Sequence, residues 1–217
     1  MAAPNIKIAL GMLLSADEMR RLNVDAQVVN EIRFVMWEFL FPILQRSSLV
    51  GNSPDISWTY TRNDLTDRDL VVYFVANMQR SVIKKKFGQA ALDNAIKAAK
   101  GKPLGGLTTW NTPWDATGVI SEVYVENNFP ARKLGVNAFH ELMHNKAQID
   151  NSMHDIKGIG VGMTGGSECT RLTEADILLM TKKLTARVPQ YADELPGDIA
   201  VKFFIKKTDP GYRMTCS

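Results

Sequence analysis

Cysteine is nearly absent from this 217-residue chain, histidine is scarce, and charge is close to balanced. The two cysteines, Cys169 and Cys216, are too few for a disulfide framework, fix no redox compartment and lack the spacing of a zinc-binding pair. A net charge of +3 supplies no extended basic surface, and the only basic run, Lys84 to Lys86, has no aromatic residues interleaved with it. We therefore expect no nucleic-acid partner and read the run as a solvated face. No apolar stretch approaches the roughly 18 residues of a membrane span, and no lipidation signal or internal repeat is visible. What remains is the composition of a globular protein, 45% hydrophobic and 23% charged, of a length that suits one domain over 1–217. A soluble monomer is the expectation. Its compartment is unassigned, with secretion lacking a recognisable signal peptide left open.

Patterning orders the chain. Residues 6–13 read as a first strand, because Ile8 to Leu14 contains Gly11, lacks a cleavage site and runs into the capping box Ser15-Ala16-Asp17-Glu18. Val28, Val29, Ile32, Val35, Met36, Phe39, Leu40 and Ile43 recur with helical period and predict a long helix lying on a sheet. Ile56, Trp58 and Tyr60 alternate with polar residues as in an outer strand, whereas Leu70 to Ala76 is continuously apolar, as in a central one. Residues 81–100 read as a single polar helix closed by Gly101, with Phe87, Leu92, Ala95, Ile96 and Ala99 turned inward. Leu104 to Trp110, with Gly105 and Gly106, suits a sheet edge, and Val119 to Val125 another strand. Pro130 opens a helix buried through Leu134, Ala138, Phe139, Leu142 and Met143. After the glycine-rich stretch from Gly158 to Gly166, Thr173 to Asp176 signals a last helix with Ile177, Met180 and Leu184 inward, and 199–206 reads as a terminal strand.

The chemistry lies on the helix after Pro130. His140-Glu141-Leu142-Met143-His144 sets two imidazoles four residues apart, on one helix face and one turn from each other. That spacing offers two donors to one zinc ion, and Glu141 is placed to act as general base toward a water at the ion's open position. Chance placement of two histidines is the competing explanation. With three histidines in the whole chain it is a rare coincidence. A structural zinc site would be closed by four ligands that usually include cysteine, and none lies near this motif.

Extended to Asp150, the segment His140-Glu141-Leu142-Met143-His144-Asn145-Lys146-Ala147-Gln148-Ile149-Asp150 resembles the metzincin family of zinc endopeptidases, specifically the snapalysin-like variant with aspartate in the last ligand place. The resemblance implies Zn2+ held by His140, His144 and Asp150, with Glu141 catalytic. It also implies Met163, within Gly160 to Gly166, as the methionine of the turn beneath the metal. Ala147 departs from the family's glycine, at which the helix turns back. His154 is therefore an alternative third ligand, reached if the helix runs on to Asn151. A more distant carboxylate, Glu168 or Glu174, would make the site gluzincin-like instead. Tyr191 and Tyr212 are candidate helpers at the metal with no motif to support either.

The implied fold is α+β: a twisted mixed sheet of about five strands, a long packing helix, an active-site helix and a C-terminal helix. The two lobes divide at about 146/147. A protein or peptide substrate would lie extended along Gly106, Leu107 and Thr108, adding a strand to the edge. The contrasting function is a non-catalytic zinc-containing interaction or toxin domain.

Overall fold

The computed structural model describes residues 6–46, 56–66, 69–98, 103–109, 118–127, 130–146, 172, 174–183 and 188–198. Within them the strands are β1 (Ile6–Met12), β2 (Ile56–Thr59), β3 (Leu70–Val75), β4 (Gly106–Thr108) and β5 (Ser121–Tyr124). The helices are α1 (Ala16–Arg21), α2 (Ala26–Gln45), α3 (Val82–Phe87), α4 (Gln89–Ala98), α5 (Ala131–Lys146) and α6 (Glu174–Lys183). One five-stranded sheet runs in the order β2-β1-β3-β5-β4, parallel throughout except for the antiparallel edge strand β4. The apolar run that predicts a central strand is β3, whose six residues are all buried. The alternating segment is β2, at the opposite edge from β4.

Because side chains alternate along a strand, β3 feeds two cores. Leu70, Val72 and Phe74 face α2 and α5, while Val71, Tyr73 and Val75 face α3 and the segment 188–198, through Tyr191 and Leu195. Helices thus cover both faces of a mostly parallel sheet, which is the layering of an α/β protein. The expected mixed sheet of about five strands with its long packing helix is present, and its mostly parallel strands covered on both faces make the class α/β where α+β was expected.

Helix α2 begins where the Asp25 carboxylate accepts the Val28 amide at 2.9 Å, and α1 where Ser15 and Glu18 form the reciprocal capping box. The periodic apolar face of α2 is buried along its length, from Val29 to Leu44. It packs on α5 through the stacked rings of Phe39 and Phe139, whose centroids are 5.1 Å apart. Arg132 of α5 adds an ion pair to Glu38 of α2 at 3.2 Å. Helix α6 lies against the same core through Met180, and the Thr181 hydroxyl donates to the Ile43 carbonyl of α2 at 3.3 Å.

The helix expected over 81–100 is two helices. Gly88, at φ +85°, takes a backbone conformation that side-chain-bearing residues avoid and ends α3 before α4 begins. The break rotates α4, so Ile96, expected inward, is 38% exposed while Leu92 stays buried. The basic run occupies the last turn of α3, favourable for cations at a helix C-terminus, with Lys85 paired to Glu194 at 2.7 Å. Gly101, Ala99, Leu184 and the strand expected at 199–206 lie outside the described residues. No helix among the described residues is long and apolar enough to cross a membrane.

Candidate metal centre

The HExxH segment fills the last two turns of α5, and all three of its polar side chains are buried: His140 at 0%, Glu141 at 2% and His144 at 7% exposure. The residues that carry the helix inward, Leu134, Ala138, Phe139, Leu142 and Met143, are fully buried, as their period requires. The imidazoles of His140 and His144 meet with ring centroids 4.4 Å apart and planes at 80°. The two rings thus meet on one face of the helix, one turn apart.

Glu141 points toward the sheet edge. The Thr108 hydroxyl donates to its Oε2 at 2.8 Å, and that hydroxyl also lies 3.0 Å from the Glu141 carbonyl. Gly106 leaves the space the carboxylate occupies, since a Cβ there would stand 2.7 Å from Glu141 Cγ and Oε1 and 2.7 Å from the Glu122 carbonyl oxygen. Burial pushes the Glu141 carboxyl up to about 8; the Thr108 hydrogen bond opposes the rise and the charge of Glu122 adds to it. A cation near such a carboxyl would favour its ionised form.

Beneath these residues runs a buried polar network. Ser121 Oγ lies 3.0 Å from Thr108 Oγ1 and accepts from Asn145 Nδ2 at 3.0 Å. Asn145 and Gln190 exchange two amide hydrogen bonds of 2.9 Å each. Comparison of the chain with protein-family models, curated proteins and solved structures finds no match. The candidate chemistry therefore rests on the residues themselves. Two neutral imidazoles and an adjacent carboxylate are the donor types and partner that zinc accepts. In that respect the donor set fits the ion.

Among the described residues no group of three or more histidine, cysteine, aspartate or glutamate side chains is placed so that it could hold a metal ion. The expected third ligands Asp150, His154 and Glu168, the Met-turn residue Met163, and Tyr212, Cys169 and Cys216 lie outside the described residues. Glu174 starts α6 and is ion-paired with Arg46 at 2.5 Å. Tyr191 stands on the opposite face of the sheet, under Lys86 and beside Tyr73, away from the imidazole pair.

Gly106, Leu107 and Thr108, expected to line the substrate edge, do form β4 at the sheet margin, with β5 on one side and no strand on the other among the described residues. Their side-chain positions do something the sequence reading missed, since Gly106 and Thr108 face Glu141. The available signal was a pair of hydroxyl residues, Thr108 and Ser121, at facing register positions on strands otherwise rich in apolar residues.

Proposed function

We propose that this chain is a zinc-dependent endopeptidase of the metzincin type, with His140 and His144 as two of the metal ligands and Glu141 as general base. The observation that carries the reading is the meeting of two buried imidazoles, ring centroids 4.4 Å apart, on a helix whose Glu141 carboxylate is buried against the edge strand of the sheet. An edge strand next to that carboxylate supports an extended peptide as substrate, since its outer side has no strand partner among the described residues and a peptide can add a strand to such an edge. The elements β1, α2, β2, β3, β4, β5, α5 and α6 follow one another in the order the resemblance implies, with α1, α3 and α4 added and the Met-turn outside the described residues.

His140 and His144 would hold the zinc, which would supply Lewis acidity toward a peptide carbonyl and a water. Glu141 takes the proton from the attacking water at a carboxylate oxygen and returns it to the departing amine, and the two histidines serve only as donors. Asp150, with His154 or a more distant carboxylate as alternatives, would complete the ligand set.

Zinc content after reconstitution, together with digestion of casein in the presence and absence of a chelator, tests the reading. About one zinc per chain is expected, with cleavage abolished by the chelator and restored by added zinc. His140→Ala with His144→Ala should abolish uptake, whereas Glu141→Ala should keep the metal and lose almost all cleavage. A wild-type protein that takes up no zinc would refute the proposal.

A further inference from the structure

The amide and hydroxyl groups under the candidate centre form a chain whose direction is dictated by the main chain. Gln190 Oε1 accepts from the Val71 amide at 3.3 Å, and Gln190 Nε2 donates to the Val188 carbonyl at 3.1 Å. Those two backbone groups leave the Gln190 amide one orientation. In it, Nε2 also donates to Asn145 Oδ1 and Oε1 accepts from Asn145 Nδ2, which orients Asn145 in turn. The remaining hydrogen of Asn145 goes to Ser121 Oγ, so the Ser121 hydroxyl must pass its own hydrogen onward. The acceptors within its reach are Thr108 Oγ1 at 3.0 Å and the Glu141 carbonyl at 3.3 Å. Thr108 has a single hydrogen to donate, and Glu141 Oε2 at 2.8 Å is the nearest acceptor to its hydroxyl.

We infer that Gln190, Asn145, Ser121 and Thr108 form a directional hydrogen-bond chain that positions the carboxylate of Glu141 for proton transfer, with Thr108 as the residue that makes the final contact. The inference rests on the reading of Glu141 as general base. It assigns Thr108 to Glu141 and leaves peptide contacts along β4 to the main chain. Gly106 serves the same purpose by omission, because a Cβ at that position would occupy the place of the carboxylate. Ser121 is fully buried, Thr108 is 8% exposed, and burial strengthens each link of such a chain. Thr108, Ser121, Asn145 and Gln190 are positioning residues, since none of them needs to touch substrate.

The test compares Thr108→Val, which keeps the shape and deletes the hydroxyl, with Thr108→Ser, which keeps the hydroxyl, and with Gln190→Leu at the far end of the chain. In reconstituted protein, Thr108→Val is expected to lower kcat by about ten- to a hundredfold, the loss that follows from misplacing a reacting group by about 1 Å. KM and zinc affinity should stay within about twofold of wild type, as expected for a residue outside both binding steps. Thr108→Ser should recover most of kcat, and Gln190→Leu should lower it about three- to tenfold, a smaller displacement at greater distance. In crystals of the zinc-free proteins, the Glu141 side chain should leave its wild-type rotamer in Thr108→Val and keep it in Thr108→Ser. Ser121→Ala probes the same link if Thr108→Val does not fold. An unchanged kcat and Glu141 rotamer in Thr108→Val, or equal impairment of the valine and serine variants, overturns the inference while zinc-dependent cleavage by wild type stands. Wild type without zinc or cleavage overturns both.

Discussion

Helix α5 sits as close to α2 as it does because residue 135 has no side chain. A Cβ on Gly135 would fall 2.7 Å from Val35 Cβ, 2.9 Å from Val35 Cγ1 and 3.2 Å from the Ile32 carbonyl oxygen. Non-bonded carbons settle at about 3.5 to 4.0 Å, so the two helices would have to separate or Val35 leave its rotamer. Inserting a methyl into such a contact costs about 1 to 3 kcal/mol. Alanine in a helix interior recovers about 1 kcal/mol relative to glycine. The expected net effect of Gly135→Ala is a destabilisation of about 1 kcal/mol, which in a protein of this size lowers Tm by about 2 to 4 °C.

Val35→Ala alone removes two buried methyl groups and should cost about 2 kcal/mol, cavity included. In that background the contact with Val35 Cγ1 is gone but the Cβ that alanine keeps still lies 2.7 Å from the added methyl, so Gly135→Ala should be about neutral, the remaining strain offsetting a helix gain of about 1 kcal/mol. The coupling of about 1 kcal/mol is readable in a double-mutant cycle by guanidinium denaturation followed by tryptophan fluorescence. If Gly135→Ala stabilises equally in both backgrounds, the close approach does not constrain the helices and the reasoning fails.

Other consequences are equally open to measurement. Burial raises the Glu122 carboxyl above its ordinary 4.5, against hydrogen bonds from Ser81, Tyr124, Ile83 and Val82. The folded protein therefore binds more protons at this site than the unfolded chain, and the site's contribution to stability falls as pH rises above the ordinary value toward the folded one. Glu122→Gln, which does not titrate, should gain on wild type in denaturation midpoints as pH rises above that ordinary value; a pH-independent difference would count against the assignment. Tyr73→Phe deletes the hydrogen bond of 2.8 Å from its hydroxyl to the Tyr191 carbonyl. With that carbonyl left unsatisfied it should cost about 1 to 3 kcal/mol, and a loss under about 0.5 kcal/mol would mean that water replaces the partner.

The elements that sequence predicts well are those whose signal is local and periodic. The β3 run, the apolar face of α2, the Ser15 capping box and the helix after Pro130 each carry their pattern within a few residues. Gly88 inside a helical pattern was a weaker sign, because a glycine is tolerated in a helix until φ turns positive, and that depends on how α3 docks. Strand order and the covering of both sheet faces follow from which apolar surfaces find one another, and periodicity is silent about that.

The same division holds at the candidate centre. The His140, Glu141 and His144 set is written at i, i+4 spacing, but the groups that hold Glu141 come from far along the chain. Thr108 is 33 residues from Glu141, and Gln190 is 45 residues from Asn145. No short motif encodes such a pairing.

The stretch 188–198 works as a clasp. Its residues take up the amide of Val71 through the Gln190 side chain, and the amide of Val119 through the Pro189 carbonyl at 2.9 Å, while the Tyr191 amide returns a bond of 3.0 Å to the Val119 carbonyl. Peeling it away would strip partners from three separate regions at once, so it cannot fray residue by residue as a tail would. Solvent exchange at the Val71, Val119 and Tyr191 amides should accordingly occur in one shared opening, and anything that loosens the clasp would be felt at α5 before any residue of that helix is touched.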